Sequence, residues 1–347
     1  MRKLLLCLIV LITMITPVHG METDAPEVPE SGRVYMNDEP ENFTQGLLKI
    51  LSNAVGDLQP NLLEAGRTCF GLIATVVLLS VVQSVRGENT QTIRLVGTVI
   101  IGYLLFHSAN SMIRLGENTV KEVNDYGKLL LPALTGTLAA QGAVTSSAAL
   151  YTGTAFFNSL LGALVASVIV PLLYIYLVLC LACNALAEGT LEKLKDLTKW
   201  LMTWLLKTAL YIFTGYLGIT GVVSGSVDAA AMKATKLTIS GMVPVVGGIL
   251  SDASETVLVS ARMIRNSVGV YGLLAVIAIW IGPFIKIGAQ YLLLKLTWAI
   301  CGAFGAKENV KLIGDFSGGM GLLLGMTGTV CMLVLVSTVC FMRCVNI

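Results

Sequence analysis

Few side chains in this sequence have the types and spacing that catalysis or metal binding requires. Its two histidines, His19 and His107, are far apart, and no metalloprotease, serine-hydrolase or phosphate-loop motif occurs. Cys180 and Cys183 have the spacing of a metal or redox pair, but they have no second pair and lie in an apolar stretch, where cysteines usually pack as small hydrophobic residues. The sequence therefore predicts no enzyme activity, no metal and no cofactor.

The remaining candidates for chemistry are lysines close to apolar stretches. Lys286 follows Pro283, and Lys295 lies midway along the run 287–305. Ionisable residues within membrane segments are costly and often functional, so both are candidate gating residues. The alternative is that each long side chain extends its ammonium group to the membrane surface.

The composition defines the class of protein. The chain is 55% hydrophobic and 13% charged, whereas a soluble domain carries about 25% charged residues. No charge occurs in the 59 residues between Lys128 and Glu188, and one span needs only about 20 apolar residues. We therefore expect an all-α, polytopic integral membrane protein in the plasma membrane. Its partner is the lipid bilayer, and the net charge of +2 does not suggest a nucleic-acid partner.

The N-terminal region precedes the membrane helices. Residues 1–20 have the basic start, apolar centre and small-residue end of a secretory signal peptide, and the alternative is an uncleaved signal anchor. Residues 21–42 are acidic and contain three prolines, which predicts a disordered leader. Apolar residues then recur at helical spacing over 47–58, which predicts an amphipathic helix.

Hydropathy predicts about six spans after the signal peptide. Segments 129–150 and 237–250 are uncharged and rich in small residues, and they are candidates for re-entrant hairpins. The predicted units are 43–128, with the amphipathic helix and two spans, and two membrane repeats, 129–227 and 228–347. The six spans are 68–85, 95–113, 159–187, 208–227, 267–285 and 317–342.

A cleaved signal peptide would place the mature N-terminus outside the cytoplasm. Loops 86–94, 188–207 and 286–316 would then be cytoplasmic, and six spans would return the C-terminus to the outside. The bias of Lys and Arg towards the cytoplasmic loops is weak.

Residues 191–207 have the pattern of an amphipathic helix. Leucines and Trp204 recur on one face, and Glu192, Lys195, Asp196 and Lys199 recur on the other. This pattern predicts an interfacial helix at the cytoplasmic leaflet. It would serve either as a membrane-surface linker or as a docking helix for a partner.

The four prolines beyond residue 61 indicate an internal duplication, for which the alternative is coincidence. They form two pairs. The prolines of each pair lie 39 residues apart, and the second pair follows the first at a distance of 112 residues. Repeated units with interrupted helices are typical of membrane transport proteins. Proline and glycine would form re-entrant turns packed by kinked spans. The candidate residues are Pro132, Gly136 and Pro171 in the first unit, and Pro244, Gly247, Gly248 and Pro283 in the second.

One stretch resembles a known family. Residues 243–259 read VPVVGGILSDASETVLV and continue through 266–275, and this is similar to the most characteristic stretch of the stage III sporulation protein AE family. The resemblance extends over nearly the whole mature chain. It implies a mother-cell membrane protein that faces the forespore in endospore-forming bacteria, within a channel complex with ring-forming subunits and an ATPase. The family has no established catalytic residues, so none can be transferred.

Three functions follow as hypotheses. The resemblance favours a membrane subunit of a transenvelope channel or export complex that is required for endospore formation. The proline-interrupted repeats favour a stand-alone secondary transporter. An intramembrane enzyme is disfavoured because His, Asp and Glu are scarce in the predicted spans.

Overall fold

The computed structural model describes residues 25–36, 43–85, 90–140, 144–186, 189–219, 267–304 and 307–344. Every secondary-structure element in these ranges is helical, which confirms the all-α prediction. The predicted signal peptide and the segment 237–250 lie outside them. The elements are α1 (Glu30–Arg33), α2 (Phe43–Gly56), α3 (Leu58–Val85), α4 (Thr90–Ala140), α5 (Val144–Leu164), a π-helical turn (Val165–Ile169), α6 (Val170–Leu186), α7 (Gly189–Ile219), α8 (Ser267–Gly302) and α9 (Lys307–Cys344).

Five apolar helical stretches in the described part of the chain are long enough to cross a membrane, which confirms a polytopic protein. The sixth predicted span, 208–227, extends beyond Ile219, where the described residues of α7 end. The five candidate spans are Ala65–Val82, Leu95–Gly136, Tyr151–Leu186, Val268–Gly302 and Asn309–Met342.

Helix α4 is longer than one bilayer can contain. It has 51 residues, and at 1.5 Å per residue it measures about 76 Å, against about 30 Å for the hydrocarbon core. The predicted span 95–113 and the polar segment 114–128 are therefore parts of one helix. The polar part carries exposed charges at Arg114, Lys121 and Asp125. We infer that this part of α4 lies beyond the bilayer surface.

Helix α9 lies at the centre of the bundle. Within its apolar window 89% of the residues are buried, whereas only 17% are buried in the window of α3. It contacts α4, α5, α6, α7 and α8. Gly116 of α4 allows close approach, because a β-carbon there would lie 2.7 Å from a methyl group of Leu323. The predicted span 317–342 is thus mostly enclosed by protein, and α3 presents Phe70 and Leu78 outward.

The N-terminal segment differs from the predicted disordered leader. Residues 25–36 pack onto α4 and α8, with Val28, Tyr35 and Met36 buried. The Ser31 hydroxyl donates a hydrogen bond to Glu122. The acidic composition was misleading, because a few apolar side chains are enough to attach a short segment to an existing bundle.

The predicted re-entrant hairpin over 129–150 is not confirmed. Helix α4 continues through Pro132 to Ala140, and α5 begins at Val144.

Pro171 follows the π-helical turn, in which the Val170 amide donates to the carbonyl of Val165. Proline has no amide hydrogen and clashes with the carbonyl four residues earlier, so the wider turn accommodates it.

Candidate functional site: a charge cluster between two helices

Helix α7 turns a lysine towards the protein core. Its inward stripe contains Lys195, Thr198, Met202, Leu206 and Phe213, all of which are buried. The sequence pattern placed Lys195 on the face opposite the leucines, and the structure turns that face towards the protein. The helix buries its lysine because α9 supplies a carboxylate there.

The predicted apolar face of α7 is largely exposed. Leu194, Leu197 and Trp204 lie on the surface, and Trp204 stacks on Trp200 with ring centroids 6.1 Å apart. In a protein that spans a membrane, an outward apolar face is suited to contact lipid, while polar groups find partners inside the bundle.

Lys195 forms a buried ion pair with Asp315 of α9. The ammonium nitrogen lies 2.9 Å from Oδ2, and the two side chains are 6% and 18% exposed. Burial lowers the pKa of Lys195, but the hydrogen bond to Asp315 and its negative charge outweigh burial and raise the pKa above its ordinary value. Each charge thus depends on the other, because an unpaired ion would be costly at this depth.

Aromatic and thiol groups surround this pair. The Tyr176 hydroxyl donates a 3.1 Å hydrogen bond to the backbone carbonyl of Asp315. Cys180 and Cys183 are buried on the same helix, α6, as reduced thiols. Across the described ranges, no group of three or more His, Cys, Asp or Glu residues is placed to hold a metal ion. Both thiols are buried, as expected for cysteines that pack as small hydrophobic residues.

A second ion pair lies about one turn away and closer to solvent. The Lys311 ammonium lies 2.6 Å from Oε1 of Glu192, and both side chains are about half exposed. The hydrogen bond from Lys311, together with its positive charge, lowers the pKa of Glu192. We call Glu192, Lys195, Lys311 and Asp315 the charge cluster. Sequence reasoning did not select Asp315 or Lys311, although a carboxylate just before a predicted span was a usable signal.

The residues singled out by sequence lie elsewhere. On α4, Pro132 and Gly136 are exposed, and Pro171 is exposed at the start of α6. Pro244, Gly247 and Gly248 lie outside the described residues.

The two lysines predicted as gating candidates both lie on α8, and so does Pro283. Pro283 and Lys286 are half-buried. Lys295 is exposed, and its ammonium lies 5.2 Å above the ring of Trp298.

Buried polar groups occur deeper in the bundle. Thr154 and Asn158 of α5 are buried, and their side-chain polar atoms have no hydrogen-bond partner in the part of the chain that is described. The amide nitrogen of Asn158 would lie 3.3 Å from a β-carbon at Gly127 of α4. Polar side chains at membrane depth typically face the interior of a bundle or a cavity.

This fold and this charge cluster define a polytopic helical membrane protein with a buried ion pair in its core. The family model described as Stage III sporulation protein AE (spore_III_AE) matches residues 36–343, and the chain belongs to that family. The resemblance stated from the sequence is thereby confirmed, and family membership implies a role in sporulation.

A curated relative gives the same assignment. The chain is 23% identical over 246 residues to the Stage III sporulation protein AE of Bacillus subtilis (strain 168). The match covers 71% of this chain and 61% of the relative, so the chain spans about three fifths of the relative's length. No solved structure matches the chain.

Proposed function

We propose that the chain is a membrane subunit of a transenvelope channel or export complex between mother cell and forespore, required for endospore formation. The observation that carries this proposal is the family match over residues 36–343, which includes all five helical stretches able to cross a membrane. The protein would lie in the mother-cell membrane that faces the forespore.

The shape of the bundle supports a subunit of a larger assembly. Helix α4 is longer than the bilayer is thick, and its charged part, 114–128, gives the protein a surface outside the lipid. The N-terminal segment packs onto that part of α4 through two hydrogen bonds. The Ser31 hydroxyl donates to Glu122 of α4, and the Tyr126 hydroxyl of α4 donates to the backbone carbonyl of Pro26 over 3.4 Å. Ring-forming subunits and other membrane subunits of the complex would bind at such a surface.

A stand-alone secondary transporter is the second candidate. The buried pair of Lys195 and Asp315 favours it, because paired charges inside membrane bundles often bind coupling ions. Two measurements distinguish the candidates. A channel subunit should co-purify with other subunits from sporulating cells and should not drive solute uptake when it is reconstituted alone.

The test is an affinity purification of the tagged chain from sporulating cells, in a detergent that preserves membrane complexes. We expect ring-forming and membrane subunits in stoichiometric amounts, and we expect their loss when the bait is an unrelated polytopic protein expressed at the same level. Recovery of the chain alone, with ion-driven uptake in liposomes, would replace the channel proposal by the transporter.

A further inference from the structure

We propose that the charge cluster fixes the register of α7 along α9 by combining two ion pairs of opposite polarity. The proposal concerns how one helix is positioned, and it does not depend on the channel role. It rests on the order of the four charges, which neither the family match nor the sequence pattern addresses.

The two ion pairs connect the same two helices in the same chain direction. Glu192 pairs with Lys311, and three residues later on α7 Lys195 pairs with Asp315, four residues after Lys311. At 1.5 Å per residue these steps are about 4.5 and 6 Å, or close to one helical turn each. The helices therefore run parallel here, and the pairs lie one above the other.

The polarity of the pairs alternates. Along α7 the acid precedes the base, and along α9 the base precedes the acid. A slide of α7 by one turn in one direction would bring Glu192 against Asp315. A slide in the other direction would bring Lys195 against Lys311. The first shift replaces attraction by repulsion and leaves Lys195 without a carboxylate inside the bundle, which disfavours that register. The second shift is opposed by the repulsion between Lys195 and Lys311 alone, because Lys199, whose ammonium lies 3.8 Å from the position of a β-carbon at Gly318, would then come level with Asp315.

Apolar packing specifies the register of α7 less strongly. Its inward stripe below the cluster contains Met202, Leu206 and Phe213, and the flexible methionine nearest the cluster can repack after a shift. The ion pair is 2.9 Å long, and one turn beyond Asp315 on α9 lie Gly318 and Gly319, which offer the Lys195 ammonium no side-chain partner. The buried pair should therefore be the main determinant of register, and the half-exposed pair a weaker one.

The test is a cysteine crosslink across the exposed pair. Replacing Glu192→Cys and Lys311→Cys together removes that pair and places two thiols where the charges meet, so that the buried pair alone must hold the register. Oxidative crosslinking is measured in native membranes, and the chain without the two introduced cysteines reports background from its own thiols. Into this reporter we introduce Lys195→Asp, Asp315→Lys, both together, or the apolar pair Lys195→Met with Asp315→Leu.

We expect each single reversal to lower the crosslinked fraction about tenfold, because like charges then oppose each other in the core. The double reversal should restore it to near the reporter's value, and the apolar pair should leave a reduced, mixed signal. Unchanged crosslinking in the single reversals would overturn the proposal. If the proteins with a single reversal do not accumulate in the membrane, the double reversal and the apolar pair provide the test. Crosslinking restored by the double reversal supports the proposal, and full crosslinking by the apolar pair with none by the double reversal contradicts it.

Discussion

The Lys195 ammonium lies 2.9 Å from the Asp315 carboxylate, and 120 positions separate the two residues in sequence. Both side chains are largely withdrawn from solvent. This contact joins the amphipathic helix α7 to the central helix α9, and it turns a helix expected on the membrane surface into part of the bundle.

Removing one member of this pair should destabilise the protein strongly. We expect Asp315→Ala or Lys195→Ala to cost about 3–5 kcal/mol, because the remaining charge would be buried without a partner. The combined Lys195→Met and Asp315→Leu replacement should cost much less. Thermal unfolding of the purified protein in detergent measures this, with Glu192→Ala as the exposed control, which should have little effect. Equal losses in the paired apolar variant and the single variants would contradict the account.

Substitution of Gly282 should release the N-terminal segment. A β-carbon at this position would meet the ring of Tyr35, whereas one at Gly288 of the same helix would have its nearest neighbour at 4.0 Å. We expect Gly282→Ala to increase trypsin cleavage after Arg33 by about tenfold, and Gly288→Ala to leave it unchanged or slightly slower, because alanine favours the helix. Identical cleavage rates in the two variants would show that the segment is not held against α8.

The charged part of α4 should be accessible to water on the non-cytoplasmic side of the membrane. Lys121 is exposed in the charged part of the helix, and Tyr103 is 72% exposed in the apolar part, 18 residues or about 27 Å away. A membrane-impermeant maleimide should label Lys121→Cys and not Tyr103→Cys, because the latter would face lipid. Labelling of both positions, or of neither, would remove the argument that α4 extends beyond the bilayer.

The location of the C-terminus tests the number of crossings. Six spans after a cleaved signal peptide return the chain to the outside, so a reporter fused after Ile347 should be active only outside the cytoplasm. Five crossings, the number of candidate spans among the described residues, would place it in the cytoplasm. A cytoplasmic reporter would therefore contradict six spans and would mean either that 129–150 or 237–250 is a further span or that α7 and the residues that follow it do not complete one.

Hydropathy was sufficient to predict the fold class, because long apolar segments have few alternatives in a membrane. The predicted kink at Pro171 stays a prediction, although a π-helical turn lies just before this residue. At Pro132 the same reasoning failed, since α4 continues through an exposed proline. A proline defines which hydrogen bond is lost, but the neighbouring helices determine whether the chain turns.

The charge cluster could be predicted only in part. The periodicity of 191–207 identified an amphipathic helix, but a helical pattern cannot reveal which face meets the protein. The side of the helix that carries Lys195 was therefore identified, but its burial was not, and Asp315 had no visible partner in sequence. The 112-residue proline register stays a prediction, because residues 220–266, which include the beginning of the second unit, lie outside the described part of the chain.

The most direct test of the central claim is the yield of heat-resistant spores after deletion of the gene. We expect vegetative growth to be normal and spore development to stop after engulfment, with heat-resistant spores restored when the full chain is supplied from a second site. A deletion strain that forms heat-resistant spores at the normal yield would contradict the claim that this protein is a required subunit of a sporulation complex.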